Sequence, residues 1–510
     1  MSAAEPAAHA PEPPSDRLLQ RLPSPAVLVA IVFGAILLMT VTFHGLTDVD
    51  YFWHVTAGRL MVTNGSVLST DPFSFTYAGG AWTPHEWLTE VLIYELVHWL
   101  GGTAALVTFG LVGGATIAVG IAVGRRRGIR VPAIAGAAVV TAAVLVSYLT
   151  VRPQALSWLL LAILLALLTS LAADRPRRAL WLIPLFVLWA NLHGLYVVGL
   201  GALLIWAVAT LFGRTAMAGA RGWAAVGALG AVAASMLTPA GPIGILYPLR
   251  YVQPGAWGLA NIQEWQSPDF HDPANLGLLV LIGVLLLVGW RGAASAQGAT
   301  GRLGSAGWVG VVVAVLVLIS LYSLRNAPLA AVAAFGVISL SLDGLIPRRV
   351  RRAPSPTVAR ARRFMEMVLA AVIIGAAFVI FLPRVASNEA SAVRERLPVA
   401  GVDKLLTVNP KARVFAEYGW GGYVIYRMYD AGGRVFVDGR NDMYPETILN
   451  DYTTIHNAVG DWSAKLDHYG ADAILLPPDA LLVAGVGSNR AWCEQYRDTA
   501  QVLYTRCDGS

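Results

Sequence analysis

The chain has 510 residues, of which 56% are hydrophobic and only 13% charged, and its mean hydropathy is strongly positive. This composition excludes an ordinary soluble globular protein and a disordered one, and it predicts a polytopic membrane protein. The formal net charge of +6 lies in short loops beside apolar runs, where it indicates contact with anionic lipid and not a nucleic acid partner.

The first predicted element is a tail. Residues 1–24 are rich in Ala, Pro and Glu and predict a disordered cytoplasmic segment. The apolar runs that follow are continuous and do not alternate, which predicts helices and not a barrel. They lie near residues 25–43, 102–123, 131–149, 155–172, 179–191, 195–213, 223–238, 275–290, 307–323, 328–343 and 364–383. We therefore expect residues 25–383 to form an all-α bundle of about eleven transmembrane helices.

The arginines predict the orientation of this bundle. Clusters fall on alternate loops, at Arg17 and Arg21, at Arg125 to Arg130, at Arg175 to Arg178 and at Arg348 to Arg363. Such loops face the cytoplasm of an inner or plasma membrane, so the N-terminus is expected inside. The opposite loops carry only isolated arginines, namely Arg59, Arg152, Arg250 and Arg325. The loop 44–101 is therefore expected outside.

The external loop 44–101 is far longer than a connection needs to be, which is typical of a functional loop. Tyr51 to Val62 and Glu86 to Leu100 have apolar residues at helical spacing and carry aromatic side chains. Both predict helices that lie in the membrane interface. The loop opens with Asp48-Val49-Asp50, two carboxylates one residue apart where the first span ends.

After a linker at 384–400, residues 401–510 have ordinary polarity and predict a small external α/β domain. Strands are expected at Arg434 to Asp438, Ala473 to Pro477 and Val502 to Thr505, and a helix at Tyr444 to Ala458. The two cysteines of the chain, Cys493 and Cys507, both lie here. An even count in an oxidising compartment predicts one disulfide, and the alternative is two unrelated buried thiols.

Several short motifs accompany the Asp48/Asp50 pair. They are the run Asp48 to Arg59, Asp71-Pro72-Phe73-Ser74, His85-Glu86-Trp87-Leu88, Trp420-Gly421-Gly422-Tyr423 and Asp438-Gly439-Arg440. With the topology, this pattern resembles the GT-C superfamily of membrane glycosyltransferases, and more closely a group of bacterial GT-C-like proteins whose substrates are mostly unassigned. The resemblance implies a polyprenyl-phosphate-linked sugar donor in the membrane and a glycan, lipid or protein acceptor.

The chemistry of sugar transfer explains why carboxylates and arginines are needed at such a site. Sugar transfer from a lipid phosphate needs a base for the acceptor hydroxyl and a positive partner for the departing phosphate. We expect Asp48 and Asp50 to be catalytic, one as the base and the other as a ligand for a divalent cation such as Mg²⁺ or Mn²⁺. External arginines are the alternative to a metal, with Arg152, Arg250 and Arg325 as candidates. The expected substrate contacts are His54, His85, Glu86, Arg152, His193, Glu264 and Arg325.

Each candidate also has a structural explanation. Asp48 and Asp50 could cap the helix that follows them. His85 and Glu86 could be no more than the polar start of the second interfacial helix. Arg152 and Arg325 could reach to lipid headgroups. His193, at the break Asn191-Leu192-His193-Gly194, could hydrogen-bond between helices.

Two other classes of function stay open. A lipid or sugar-lipid transporter would also have many spans, but inverted repeats and acids inside apolar runs are not evident. A non-catalytic assembly or sensor protein would need far fewer spans. No phosphate-binding loop signature is present in the sequence, so a nucleotide-sugar donor is not expected.

Overall fold

The computed structural model describes residues 25–171 without 45 and 47, then 176–212, 218–247, 256–295, 307–346 and 393–507, and isolated positions between 357 and 375. The predicted tail 1–24, most of the predicted last span and most of the predicted linker lie outside the described residues. The fold is mostly helical and ends in a small sheet.

The helices of the described residues follow the predicted apolar runs closely. In chain order they are α1 Pro25–His44, α2 Tyr51–Asn64, α3 Trp87–Leu100, α4 Gly102–Arg126, α5 Val131–Leu145, α6 Gln154–Ser170, α7 Leu182–Leu192, α8 Tyr196–Phe212, α9 Ala218–Ser235, α10 Ile243–Leu246, α11 Trp257–Asn261, α12 Leu276–Ser295, α13 Gly307–Tyr322, α14 Ala327–Leu345, α15 Val399–Val408, α16 Gly421–Met428, α17 Glu446–His456, α18 Trp462–Tyr469 and α19 Leu481–Gly487.

Two helical segments in the described part of the chain are long and apolar enough to cross a membrane by length and composition. They are Gly102–Arg126 and Leu324–Leu345, and the latter joins a short 3₁₀ turn to α14. Five further apolar helices have between 10 and 17 residues. Within the bundle α1 packs along α4, and α14 packs against α5. The predicted total of about eleven spans stays a prediction.

The first loop contains the two predicted helices α2 and α3, which pack against each other. The contact is close because a side chain at Gly58 would collide with the backbone of Glu90. On α2, Tyr51 to Gly58 are all buried, because both α3 and the C-terminal module pack against this helix. The aromatic side chains of α2 therefore lie inside the protein, whereas Trp99 at the end of α3 is 73% exposed.

The C-terminal module is built on a five-stranded sheet with the order β2-β1-β3-β5-β4. The strands are β1 Arg413–Ala416, β2 Arg434–Val435, β3 Ala473–Leu476, β4 Trp492–Arg497 and β5 Val502–Arg506. The first three pair in parallel, and β5 is antiparallel to both β3 and β4. The expected strand at Arg434 to Asp438 is only two residues long, and the expected helix at Tyr444 to Ala458 is α17.

The first loop extends this sheet. The amide of Val435 donates to the carbonyl of Phe73 at 3.1 Å, and the amide of Phe75 donates to the carbonyl of Val435 at 3.0 Å. Ser74 thereby pairs in parallel with the edge strand β2. The edge that β2 would otherwise expose is occupied by the first loop, which fixes the module over α2.

A buried ion network lies beside this junction. Arg440 donates to Asp71 at 2.8 Å and to Asp438 at 2.6 Å, and all three side chains are at most 1% exposed. Asp438 also accepts from the hydroxyl of Tyr444 at 2.7 Å. The network therefore joins two of the sequence motifs, Asp71-Pro72-Phe73-Ser74 and Asp438-Gly439-Arg440, across 369 positions.

The two cysteines close the far edge of the sheet. Cys493 on β4 and Cys507, directly after β5, are joined by a disulfide that spans 14 positions. A loop of this size is stabilised by about 3 kcal/mol in the chain-entropy account. The bond holds the chain terminus to the edge strand.

Replacing Arg440 by Met should destabilise the protein strongly, because Asp71 and Asp438 would keep buried charges without a cation. We expect a loss of about 3–5 kcal/mol in the free energy of unfolding, measured by denaturant titration in detergent micelles. The control is Arg427→Met, which breaks an exposed pair with Asp403 on the same module and should cost at most about 1 kcal/mol. Equal losses in the two variants would contradict the assigned role.

Candidate functional site

The first loop, the helix ends and the C-terminal module enclose one cavity of about 530 Å³. Of the predicted site residues, the cavity wall contains Asp50, His54, His85, Glu86, Arg152, His193, Glu264 and Arg325. Asp48 lies directly behind this wall, and Cys493 and Cys507 lie away from it in the sheet. Arg250 is outside the described residues. Side chains that are scattered over 278 positions of sequence, from Asp48 to Arg325, are thus brought together.

Arg152 holds one side of the cavity together. Its Nε lies 2.6 Å from Asp48 Oδ2, its Nη2 lies 2.9 Å from Asp50 Oδ2, and its Nη1 lies 2.7 Å from Glu264 Oε2. All three nitrogens of the guanidinium therefore face carboxylates. The alternative explanation for Arg152, a contact with lipid headgroups, is not what the structure shows, because its guanidinium lies in this internal network, where three acids in a largely buried place require a cation.

The two aspartates of the pair differ in their surroundings. Asp48 is also bonded to the Thr150 hydroxyl at 2.7 Å and to the Asp50 amide at 3.0 Å, and its side chain is only 5% exposed. Asp50 accepts from the Trp53 indole at 3.1 Å, and its side chain is 23% exposed. Asp50 is the residue before α2, yet its side chain caps no helical amide. Capping alone therefore does not explain it.

The expected cation site between Asp48 and Asp50 is not favoured by this geometry. The guanidinium of Arg152 bonds to both carboxylates, so it already occupies the place of a cation that would bridge them. A metal ion bound between them would have to displace that guanidinium, which Glu264 and Asp48 hold on the other sides. The pair fits an arginine clamp better than a metal.

A second cluster lies beside the first on the cavity wall, since His54 on α2 follows Asp50 by four residues. Glu86 is surrounded by three imidazoles, with His193 Nε2 at 3.0 Å, His85 Nε2 at 3.6 Å and His54 Nε2 at 3.8 Å. Glu90, one helical turn further on α3, lies 3.5 Å from His54 Nδ1. Residues four apart on a helix share a face, so Glu86 and Glu90 point the same way.

The protonation of His193 can be derived from its neighbours. The Trp189 indole donates to Ser157 Oγ at 2.8 Å, so the Ser157 hydroxyl donates in turn to His193 Nδ1 at 2.9 Å. The backbone amide of Leu195 also points at Nδ1, at 3.3 Å. With Nδ1 as an acceptor, the proton of the neutral ring lies on Nε2, from which it is donated to Glu86.

The position of α3 follows from its contacts with the end of α7. The Trp87 indole donates to Asn191 at 2.8 Å, and the Thr89 hydroxyl donates to the carbonyl of Leu192 at 2.6 Å. Helix α7 ends there, at the predicted break, and His193 is extended. The break therefore places His193 against Glu86.

Burial and charge shift the pKa values of both clusters. Burial raises the pKa of Asp50 despite the opposing charge of Arg152, and it raises the pKa of Glu90. Burial is the largest influence on Glu86 and opposes its ionised form, but the hydrogen bond from His193 and the charge interactions with the surrounding imidazoles together outweigh it and hold the pKa of Glu86 well below its usual range. Burial lowers the pKa of His193, in agreement with a neutral ring.

Some cavity residues are absent from the sequence predictions. Glu90 is 1% exposed and faces the cavity, and its spacing of four from Glu86 is the signal that could have identified it. The C-terminal module contributes Tyr418, which the sequence did not indicate, and also Arg440, Asn441 and Asp442, which belong to the segment Val437 to Asp442 that the sequence offers as the lining of an acceptor groove. Gly439 of this module lies so close to Asp50 that any side chain at position 439 would collide with the aspartate. No local pattern indicates that contact.

The fold has a counterpart among solved structures. The crystal structure of ArnT from Cupriavidus metallidurans in the apo state matches with a TM-score of 0.52 and 16% sequence identity, over 94% of this chain and 96% of that chain. ArnT is a GT-C glycosyltransferase. The chain has a GT-C fold. No family model and no curated protein matches the sequence. The match covers both the helical bundle and the C-terminal module of this GT-C fold.

Replacing Arg152 by Met should leave three carboxylates without their shared cation, at a cost of about 3–5 kcal/mol in the free energy of unfolding. Arg152→Lys should retain more of the free energy of unfolding than Arg152→Met but less than the wild type, because an ammonium group does not reproduce the fork of a guanidinium. Both are measured by denaturant titration in detergent. The control Arg59→Met breaks the exposed pair with Asp430. If the Arg59 variant loses as much as Arg152→Met, the clamp is not the source of the stability.

Proposed function

We propose that the chain is an integral membrane glycosyltransferase that moves a sugar from a polyprenyl-phosphate-linked donor to an acceptor on the external face of a bacterial inner or plasma membrane. The observation that carries the proposal is the placement of Asp50 on the wall of the cavity, with Arg152 fixing it from one side and Trp53 from the other. The shared fold with ArnT supports it, since that protein is an undecaprenyl phosphate-aminoarabinose transferase.

Asp50 is the proposed general base. One of its oxygens accepts from the Trp53 indole and the other faces Arg152, and both contacts are compatible with a carboxylate that takes up a proton from a hydroxyl in the cavity. Asp48 has a different role in this proposal. Its oxygens bond to Arg152, Thr150 and the Asp50 amide, so it positions Arg152 and Asp50 and does not touch the substrate.

Arg325 is the proposed partner of the donor phosphate. It lies on the cavity wall over the ring of Trp265, and its nearest carboxylate contact, with Glu264, is 3.7 Å long. Arg152 is less suited to this task because each of its nitrogens already faces a carboxylate. A guanidinium that retains donors toward the cavity can bind phosphate oxygens in a fork.

The proposed reaction is a single displacement. The acceptor oxygen attacks the anomeric carbon, the bond from that carbon to the phosphate oxygen breaks, and the bonding pair leaves with the polyprenyl phosphate. The acceptor proton passes to Asp50, and Arg325 compensates the charge of the departing phosphate. Attack from the face opposite the leaving group inverts the anomeric configuration. The acceptor can be a glycan, a lipid or a protein.

The test is sugar transfer by the purified protein in proteoliposomes, with polyprenyl-phosphate sugars as donors and mass spectrometry of the products. Asp50→Asn keeps the size of the side chain and removes the base, so the rate should fall by about 10²–10⁴-fold. The matched control is Asp430→Asn, a change of the same kind at the exposed pair with Arg59.

Two outcomes would contradict the proposal. One is an Asp50→Asn rate equal to that of the wild type at equal protein content. The other is uptake of the donor into sealed vesicles with no transferred sugar, which is the behaviour of a transporter.

A further inference from the structure

We propose that His54, Glu86 and Glu90 form a binding site for one divalent transition-metal ion, such as Mn²⁺ or Zn²⁺, on the wall of the cavity. The site departs from the expected metal ligands Asp48 and Asp50, both of which are bound to the guanidinium of Arg152. Its use in sugar transfer rests on the proposed function, whereas its capacity to bind the ion does not.

The spacing of the three side chains fits a shared ion. One ligand atom from each lies within 4.8 Å of the others. Only one ring nitrogen of His54 can bind the ion, and Nδ1 lies 3.5 Å from Glu90 while Nε2 of the same ring lies 3.8 Å from Glu86. Both distances exceed the roughly 2.7–2.9 Å of a hydrogen bond between charged groups. An ion bound to one nitrogen and to a carboxylate oxygen of each glutamate, at about 2.0–2.2 Å each, needs ligand atoms that are more widely spaced than hydrogen-bond partners.

Unsatisfied polar atoms point to the same place. Within the part of the chain that the structure describes, His54 Nδ1 and Glu90 Oε2 are buried and have no hydrogen-bond partner. The two residues are 2% and 1% exposed. A buried polar atom without a partner costs free energy, and a buried carboxylate costs more. A cation between them would satisfy both residues.

The surroundings of Glu86 have the form of an outer shell around a metal site. His193 donates from Nε2 to Glu86 Oε1 at 3.0 Å, and Ser157 and the Leu195 amide fix the opposite nitrogen of that ring. This leaves the other oxygen of Glu86, Oε2, toward His54. Hydrogen bonds that orient a ligating carboxylate are characteristic of metal centres.

The close approach of α2 and α3 brings the three proposed ligands together. His54 and Gly58 are four residues apart on α2 and share a face, as Glu86 and Glu90 do on the facing side of α3. Because no side chain fits at Gly58 against the backbone of Glu90, the glycine lets His54 approach both carboxylates.

Charge in the cavity also favours a cation. The two clusters contain five carboxylates, from Asp48, Asp50, Glu86, Glu90 and Glu264, and two guanidinium groups, from Arg152 and Arg325. A donor phosphate would add further negative charge. An ion held by His54, Glu86 and Glu90 would add positive charge to the cavity wall.

The donor set indicates the class of ion. One imidazole nitrogen with two carboxylate oxygens suits Mn²⁺ or Zn²⁺, whereas Mg²⁺ and Ca²⁺ prefer oxygen ligands alone. All three residues line the cavity, so a further coordination position would be open to water or substrate.

The test uses the full-length protein in detergent, stripped of metal by a chelator and titrated with Mn²⁺ or Zn²⁺ without any sugar donor. We expect one saturable equivalent of Mn²⁺, with a ¹⁴N coupling in the electron spin echo spectrum of the bound ion that reports the imidazole of His54. Mg²⁺ and Ca²⁺ should compete weakly. This spectrum on the wild-type protein needs no variant to fold.

Variants locate the ion. His54→Gln should abolish the ¹⁴N coupling, and both it and Glu90→Gln should weaken binding by more than about 100-fold, which exceeds the usual loss from outer-shell changes. His193→Ala should weaken it by about 10–100-fold. Glu95→Gln, the same change on the same helix where Glu95 bonds to Trp99, should bind like the wild type. Asp50→Asn should also retain the ion.

Several results would overturn the proposal: no stoichiometric binding, binding without a ¹⁴N coupling, binding unchanged in Glu90→Gln, or binding lost in Asp50→Asn. These results are independent of sugar transfer. A protein that binds the ion as described but transfers no sugar would refute the proposed function and leave the metal site standing.

Discussion

Carboxylates that are buried together need compensating charge, and the rest of this structure depends on how that charge is supplied. Arg152 serves three acids, Arg440 serves two, and imidazoles surround Glu86. In each case at least one of the compensating contacts joins distant parts of the chain. An uncompensated charge in such a place costs several kcal/mol, so these pairs also determine which elements can pack together. The cavity and the fold therefore share one set of interactions.

The need for compensating contacts also distinguishes neighbouring residues of the same chemical type. Asp48 and Asp50 are one residue apart, yet one bonds only to protein groups and the other borders the cavity. On α3, Glu86 receives a hydrogen bond from a neutral imidazole, whereas Glu90 has an oxygen without a partner. Two side chains of the same type can thus differ in role. The one that bonds only to protein groups supports the structure, and the other faces the cavity.

Local features of the sequence were sufficient to predict much of the helical fold. Continuous apolar runs predicted the helices, and the polar break at Asn191 to Gly194 lies where α7 ends, because hydropathy and helix termination are properties of short segments. The contacts of Arg152 with three acids were not predicted, since lipid headgroups are an equally good local explanation for an arginine at a helix end. The full burial of α2 was not predicted either, because part of its cover comes from the distant C-terminal module. Long-range pairing leaves no periodic signal in the sequence.

The strand pairing between Ser74 and β2 has a consequence for biosynthesis. Its two partners are 361 positions apart, so the first loop is made long before the residues that complete its hydrogen bonds. During translation, α2 and the edge segment around Ser74 must wait uncovered until residues beyond 435 emerge. Contacts of such large separation form late and expose apolar surface in the interval. The part of the cavity wall that the C-terminal module supplies is thus made only after the first loop and the helices of the bundle have been synthesised.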